Sequence, residues 1–181
     1  MTVMVALLRG VNVGGKGRLA MAGLRAAAEA CGYENVRTYI QSGNLVFVSP
    51  SASTQAVAER LRETIADMTQ VQPEVIVRTR HELAAVVEQN PYARRGEDAA
   101  HLHVVFAGGE EEASLGSIDL APYAPEEAVP IGRQLYLFLP TGMGRSKLAA
   151  DLARQTGPSG TTRNWRTVNK LLEMADETPS Q

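Results

Sequence analysis

Residues 35–48 read NVRTYIQSGNLVFV. Two apolar runs, 35–40 and 44–48, flank Gln41-Ser42-Gly43. The runs are rich in β-branched and aromatic residues, and the triplet is a tight-turn signal, so the stretch predicts a β-hairpin. A sheet of parallel strands would need a crossover helix here instead. Working outward, TVMVALLR at 2–9 predicts a buried strand. Residues 20–32 predict a helix on Met21, Leu24, Ala28 and Cys31, stopped by Gly32. Beyond the hairpin, Val57, Leu61, Ile65 and Met68 predict a helix over 53–69 capped by Ser53, and EVIVR at 74–78 predicts a strand.

The resulting order, β-α-β-β-α-β, is that of the ferredoxin-like split unit. In it the third strand lies between the first two, antiparallel to both. The end of the first strand and the hairpin tip then share one sheet edge. The second half predicts a linking helix at His81–Gln89 ended by Asn90-Pro91, a strand at 101–107 and a short acidic helix at 110–116. A hairpin of 127–131 and 134–139 about Gly132-Arg133 and a helix over 145–155 follow. A final basic helix, about 163–175, is expected to start from Thr162 as N-cap and to dock through Trp165, Val168, Leu171, Leu172 and Ala175. The fold expected is α+β. A ferredoxin-like subdomain at 1–79 precedes a related β-α-β-β-α subdomain at 80–181, which includes the linking and C-terminal helices. The halves share a pattern but few letters, so a duplication fits without being required.

At 181 residues with 44% hydrophobic content, the chain can bury a core and is not of disordered composition. Its longest apolar runs are of strand length, so no membrane span is expected. The first ten residues read as a strand and not as a signal peptide. One cysteine, Cys31, allows no internal disulfide and points to a reducing, cytosolic setting. The net charge of −2 argues against a general nucleic-acid binder, but charge is unevenly placed. Residues 1–48 carry five Lys/Arg against two acids, a net of +3. Residues 81–130 carry two against ten, a net of −8, and residues 141–171 carry six against one, a net of +5. Either these are three solvated surfaces, or the basic ends meet as one anion-attracting face.

Directly after the first strand stands LLRGVNVGGKGR, residues 7–18. From Gly10 it satisfies G-x-x-x-x-G-K but places Gly17 where a P-loop needs Ser or Thr for Mg²⁺. The helix opens several residues late, the next strands form a hairpin, and no strand ends in a second metal-binding Asp. Nucleotide hydrolysis is therefore not expected. A plain turn and an anion contact both remain open. Glycines 10, 14, 15 and 17 free backbone N–H groups for close approach. Arg9, Asn12, Lys16 and Arg18 come to the shared edge from one side, and Gln41, Ser42 and Asn44 from the other. Together these groups suit a phosphate or carboxylate.

TGMGRSK at 141–147 could be a second anion cradle at a helix start, but it reads better as a strand-to-helix turn with Ser146 near the cap. TTRNWRTVNK at 161–170 surrounds the lone Trp165 with Arg163, Asn164, Arg166 and Lys170. It could close over the glycine loop, be a docked core helix, or do both. His101 and His103 alternate on a strand without a third ligand nearby, so no metal site is expected. Cys31 lies on an apolar helix stripe and reads as a packing residue. No nucleophile–base arrangement has a local signature. An RNA-binding sheet of this topology needs aromatics on its first and third strands; here the first has none and the third only Phe47.

The string LLRGVNVGGKGRLAMAGLRAAAEACGYENVRTYIQSGNLVF at 7–47 strongly resembles the start of domain of unknown function family 1697. The resemblance continues through NPY at 90–92, LHVVF at 102–106, LYLFLPTGMGRSKL at 135–148 and TTRNWRTVNKLLE at 161–173. It implies a tandem of ferredoxin-like halves and no particular reaction. The expected function is binding of a small anionic or nucleotide-like ligand. The expected contacts are Arg9, Asn12, Gly14, Gly15, Lys16, Gln41, Ser42, Asn44, Arg163 and Asn164. No cofactor, nucleic acid or membrane partner is expected, and the oligomeric state is open. Two alternatives stand beside this: an enzyme acting on a phosphorylated or nucleotide substrate, and a protein-interaction module using the acidic centre.

Overall fold

The computed structural model describes residues 1–15, 17–155 and 160–179. The chain is mixed α+β and divides into two compact units, Met1–Ala84 with Lys170–Gln181, and Ala85–Asn169. Among the described residues no helix is long and apolar enough to cross a membrane.

The first unit contains strand β1 (Thr2–Arg9), helix α1 (Met21–Ala30), strands β2 (Glu34–Thr38) and β3 (Asn44–Ser49), helix α2 (Thr54–Thr69) and strand β4 (Glu74–Thr79). The strands form one sheet in the order β2-β3-β1-β4, with every neighbouring pair antiparallel. Register explains the core. Met4 stands opposite Phe47, and Ala6 opposite both Leu45 and Val77. These side chains meet Leu24, Ala27 and Ala28 of α1 and Val57, Leu61 and Ile65 of α2 in one cluster. Tyr33 stacks on Phe47 at 4.7 Å, a geometry that adds about 0.5–1.5 kcal/mol to the area buried. Ser53 caps α2 by accepting from the Ala56 N–H at 3.2 Å, a contact that contributes about 1 kcal/mol. Gly32, at φ +79°, ends the α1 turn as its letter suggests. Met68 departs from its expected core role: it is 51% exposed, so the buried stripe of α2 stops at Ile65.

Helix α3 (Arg80–Gln89) leads to a short helix α4 (Pro91–Arg94). Asn90 caps α4, its side chain accepting from Tyr92 N and Ala93 N. The second unit's strands are β5 (Leu102–Ala107), β6 (Glu127–Ile131), β7 (Gln134–Phe138) and β8 (Gly160–Asn164). They form an antiparallel sheet in the order β6-β7-β5-β8, on which helix α5 (Lys147–Gln155) packs Leu148 and Leu152. Helix α6 (Trp165–Asp176) follows β8 directly.

Two expectations are corrected here. Residues 110–116 are not a helix. Ala113, Leu115, Ile118 and Leu120 instead reach the α5 core from an irregular segment that turns at Gly116-Ser117, a spacing no helical face offers. The final helix does not begin near Thr162, because residues 160–164 are a strand paired along β5 from His103 to Ala107. The cap is Asn164, whose Oδ1 accepts from the Thr167 N–H at 2.8 Å.

Candidate functional site

The glycine loop and the hairpin tip of the first unit are built as one object. Val11 and Leu19, both buried in the core, pin the two ends of the loop. The backbone takes positive φ at Gly10, just before Val11, and between the two pins at Asn12, Gly14, Gly15 and Gly17. The Asn12 N–H donates to the Gly17 carbonyl at 2.9 Å. A Cβ at Gly17 would stand 2.3 Å from the Gly10 carbonyl oxygen, so only glycine closes this loop. The hairpin is tied on by the Leu8 N–H, which donates to the Gly43 carbonyl at 2.8 Å. Gly43 has φ +82°, and a Cβ there would fall 2.7 Å from Val11 Cγ2 and 2.9 Å from Leu8 Cβ.

Asn12 is the clasp. Its Nδ2 donates to the Leu19 carbonyl at 2.9 Å and to the Gln41 carbonyl at 2.8 Å, while its Oδ1 accepts from the Leu19 N–H at 2.9 Å. Both amide donors are thereby spent on holding loop to hairpin. Asn44 is fully buried, and its Nδ2 donates to the Tyr39 carbonyl at 2.9 Å and to Ser42 Oγ at 3.0 Å. It shapes the turn from below. Sequence pattern brought Asn12 and Asn44 to this edge, and the structure shows their side chains engaged with main-chain carbonyls there.

The exposed groups around this clasp are Val13, Gly14, Gly15, Arg18, Gln41 and Ser42. A Cβ at Gly14 or Gly15 would meet nothing within 4 Å, so the space above both is open. Among the described residues the N–H groups of Gly14 and Gly15, the Arg18 guanidinium and the Gln41 side chain have no hydrogen-bond or ion-pair partner. Arg9 stands 3.9 Å from Glu74. Burial pushes the Glu74 carboxyl up from its ordinary range, and the Arg9 guanidinium pulls the other way. Ile40, beside the hairpin turn, is 48% exposed with φ +48°. A β-branched residue in that region is strained, a cost of about 1–3 kcal/mol held by the surrounding ties. Lys16 lies outside the described residues.

Arg163 and Asn164 belong to the second unit. Arg163 is buried in β8 and donates to Thr161 Oγ1 at 2.7 Å and to the Thr162 carbonyl at 2.9 Å. Burial pushes its pKa down to about 10. Asn164 is exposed, and its Oδ1 serves the α6 cap. Trp165 is buried. The start of α5 is satisfied from within: Ser146 Oγ accepts from the Ala149 N–H at 2.9 Å and Glu126 from the Leu148 N–H at 3.1 Å. A carboxylate of the chain itself thus occupies the place an external anion would take.

Cys31 is buried, with Sγ 3.3 Å from Thr64 Oγ1. Phe47 lies wholly within the core, so the third strand offers no aromatic platform at that position. His101 meets the Phe138 ring edge-on at 6.2 Å, while His103 is buried with Nδ1 unpartnered and its pKa lowered chiefly by burial. No cluster of three metal-ligating side chains occurs among the described residues. Sequence reading missed Glu74, the acidic neighbour of Arg9. Its signal was the strand EVIVR itself, whose first residue pairs with Arg9 across the β1–β4 ladder.

The family described as "Protein of unknown function (DUF1697)" matches residues 1–136. No curated protein matches the sequence. The chain is similar in fold to the conserved bacterial protein SP0830 from Streptococcus pneumoniae, with a TM-score of 0.70 at 24% identity, over 96% of this chain and 98% of that one.

Proposed function

This chain belongs to the DUF1697 family of unknown function, and from that premise we propose that its glycine loop and 41–44 hairpin bind a small anionic or nucleotide-like ligand. The observation that carries the reading is the open pair of amides at Gly14 and Gly15, without a partner among the described residues, on a loop locked to the hairpin through Asn12. A rigid loop presents N–H dipoles without reorganisation, and glycine lets an oxygen approach closely. Arg18 supplies a solvent-facing cation, Lys16 a second by sequence, and Gln41 and Ser42 short polar contacts. Arg9 serves at reduced strength because Glu74 shares it. Arg163 and Asn164 are left out of the ligand set, since the Arg163 guanidinium serves β8 and the Asn164 Oδ1 serves the α6 cap.

Titration of the full chain with inorganic phosphate and with adenosine monophosphate, followed by amide chemical shifts, tests this. Saturable shifts at Gly14 and Gly15, weakened by Arg18→Ala or Lys16→Ala, are expected. No shift at about 10 mM ligand, or equal binding by both variants, sinks the proposal.

We further read each sheet as a ferredoxin-like split unit, the second with its first helix replaced by an extended loop. The strand orders β2-β3-β1-β4 and β6-β7-β5-β8 support this. So does the matched placement of Arg78, opposite Val5, and Arg163, opposite Val104, each buried on the corresponding strand. A crystal structure of the chain in which the two sheets do not superpose strand for strand would overturn it. With one cysteine, buried and free, we read the setting as cytosolic, which fractionation of expressing cells checks.

A further inference from the structure

In the first unit the core face of the sheet is covered by two helices, α1 and α2. In the second unit α5 covers part of the equivalent face, and the other cover is the irregular segment after β5. That segment begins GGEEEAS at 108–114 and offers no apolar side chain larger than alanine. A cavity of about 160 Å³ is left over Val105, Ala107 and Leu135. Gly160 keeps its far corner bare: a Cβ there would stand 3.1 Å from the Phe106 carbonyl oxygen and 3.4 Å from Val105 Cγ1. The wall is held from both ends. Ala113 N–H donates to the Gly132 carbonyl at 2.7 Å, and Ser117 Oγ bonds Gln155 Oε1 at 3.3 Å. The space is therefore built into the fold.

The chemistry of the rim selects the occupant. Glu111 and Glu112 line the cavity and are exposed, and neither has an ion pair or hydrogen bond among the described residues. Among the described residues no Lys or Arg lines it. An apolar floor under two carboxylates without partners among the described residues disfavours anions and favours a cation with an apolar body. A cavity of about 150 Å³ holds one benzene ring, so this one accepts roughly six to eight heavy atoms.

We propose that this cavity binds a small organic cation, a primary ammonium on a short apolar stem. The ammonium sits against Glu111 and Glu112, and the stem rests on Val105, Ala107 and Leu135. The cavity is built from second-unit residues and is opposite in charge preference to the glycine loop of the first unit, so either can fail without the other.

The test is an amide chemical-shift titration of the full chain at low salt with benzylamine, against its neutral isostere benzyl alcohol and the anion benzoate. Benzylamine is expected to give saturable shifts at Val105, Ala107, Gly108 and Leu135 and to bind about five-fold tighter than the alcohol, with benzoate weakest. The double variant Glu111→Gln, Glu112→Gln changes only exposed positions, and its unaltered spectrum elsewhere reports an intact fold. In it amine and alcohol are expected to bind equally. A capped lysine in a parallel arm separates the sources: binding assigns a lysine side chain as the natural occupant, and its absence a free amine, either upholding the cation site. Absence of saturable shifts at the cavity, an alcohol that matches the amine, or a preference that survives the double variant overturns the proposal.

Discussion

Gly14 and Gly17 share a backbone conformation, φ +60° and +61°, but not an environment. Alanine in the left-handed region costs about 1–2 kcal/mol, offset by about 0.4–1 kcal/mol from the stiffer unfolded chain. Gly14→Ala should therefore destabilise by roughly 0.5–1 kcal/mol, because nothing lies within 4 Å of the new methyl. Gly17→Ala carries the same terms and a Cβ placed 2.3 Å from the Gly10 carbonyl oxygen. That oxygen is backbone at the end of β1 and cannot rotate away. Relieving the overlap must shift the strand end or break the Asn12–Gly17 hydrogen bond, at a further cost of about 1–3 kcal/mol. For a chain of this length the gap between the variants is about 2–12 °C in Tm. The lone tryptophan, Trp165, lies in the second unit, so its fluorescence is the wrong probe. Circular dichroism melts combined with hydrogen exchange of β1 and β3 amides report the first unit directly. Equal midpoints and equal exchange in the two variants would falsify the claim that contact, and not conformation alone, makes Gly17 special.

Asn12→Ala removes three side-chain hydrogen bonds across loop and hairpin and should lower the urea midpoint by the equivalent of about 1–3 kcal/mol. Asn12→Asp keeps the acceptor for the Leu19 N–H and should recover part of that; no difference between the two would show that the Oδ1 contact contributes nothing. His103 has its pKa lowered by burial, so the folded chain binds fewer protons than the unfolded one below the ordinary imidazole range. Stability should accordingly be lost as pH falls through that range toward the lowered folded value. Melts between about pH 8 and 5 should show this loss shrinking in His103→Gln, and an unchanged slope would reject a neutral buried imidazole.

The first unit was legible because its signals are local. A turn triplet between two apolar runs, Ser53 ahead of an apolar stripe and Gly32 behind another each act within a few residues. The second unit was harder. Glu110, Glu111 and Glu112 are good helix formers, yet the chain there is irregular because Ala113, Leu115, Ile118 and Leu120 must reach the core and Ala113 must bond Gly132. The strand GTTRN hid behind polar letters. Its threonines carry strand propensity, but β5 supplies the pairing from more than fifty residues upstream.

The same division runs through the candidate site. The sequence by itself determined that a glycine-rich, cationic loop follows β1 and that a tight hairpin follows α1, because backbone freedom and turn chemistry are properties of adjacent residues. Only the tertiary structure decided which polar groups there remain available. Asn12 gives its amide to a carbonyl 29 residues away, Asn44 is buried beneath the turn, and Arg163 is buried in a strand. A polar side chain buried on folding must find a partner or bear its desolvation cost, and those partners are chosen by the packing of distant segments. Among the described residues, the groups of this edge left without a partner are the Gly14 and Gly15 amides, the Arg18 guanidinium and the Gln41 side chain.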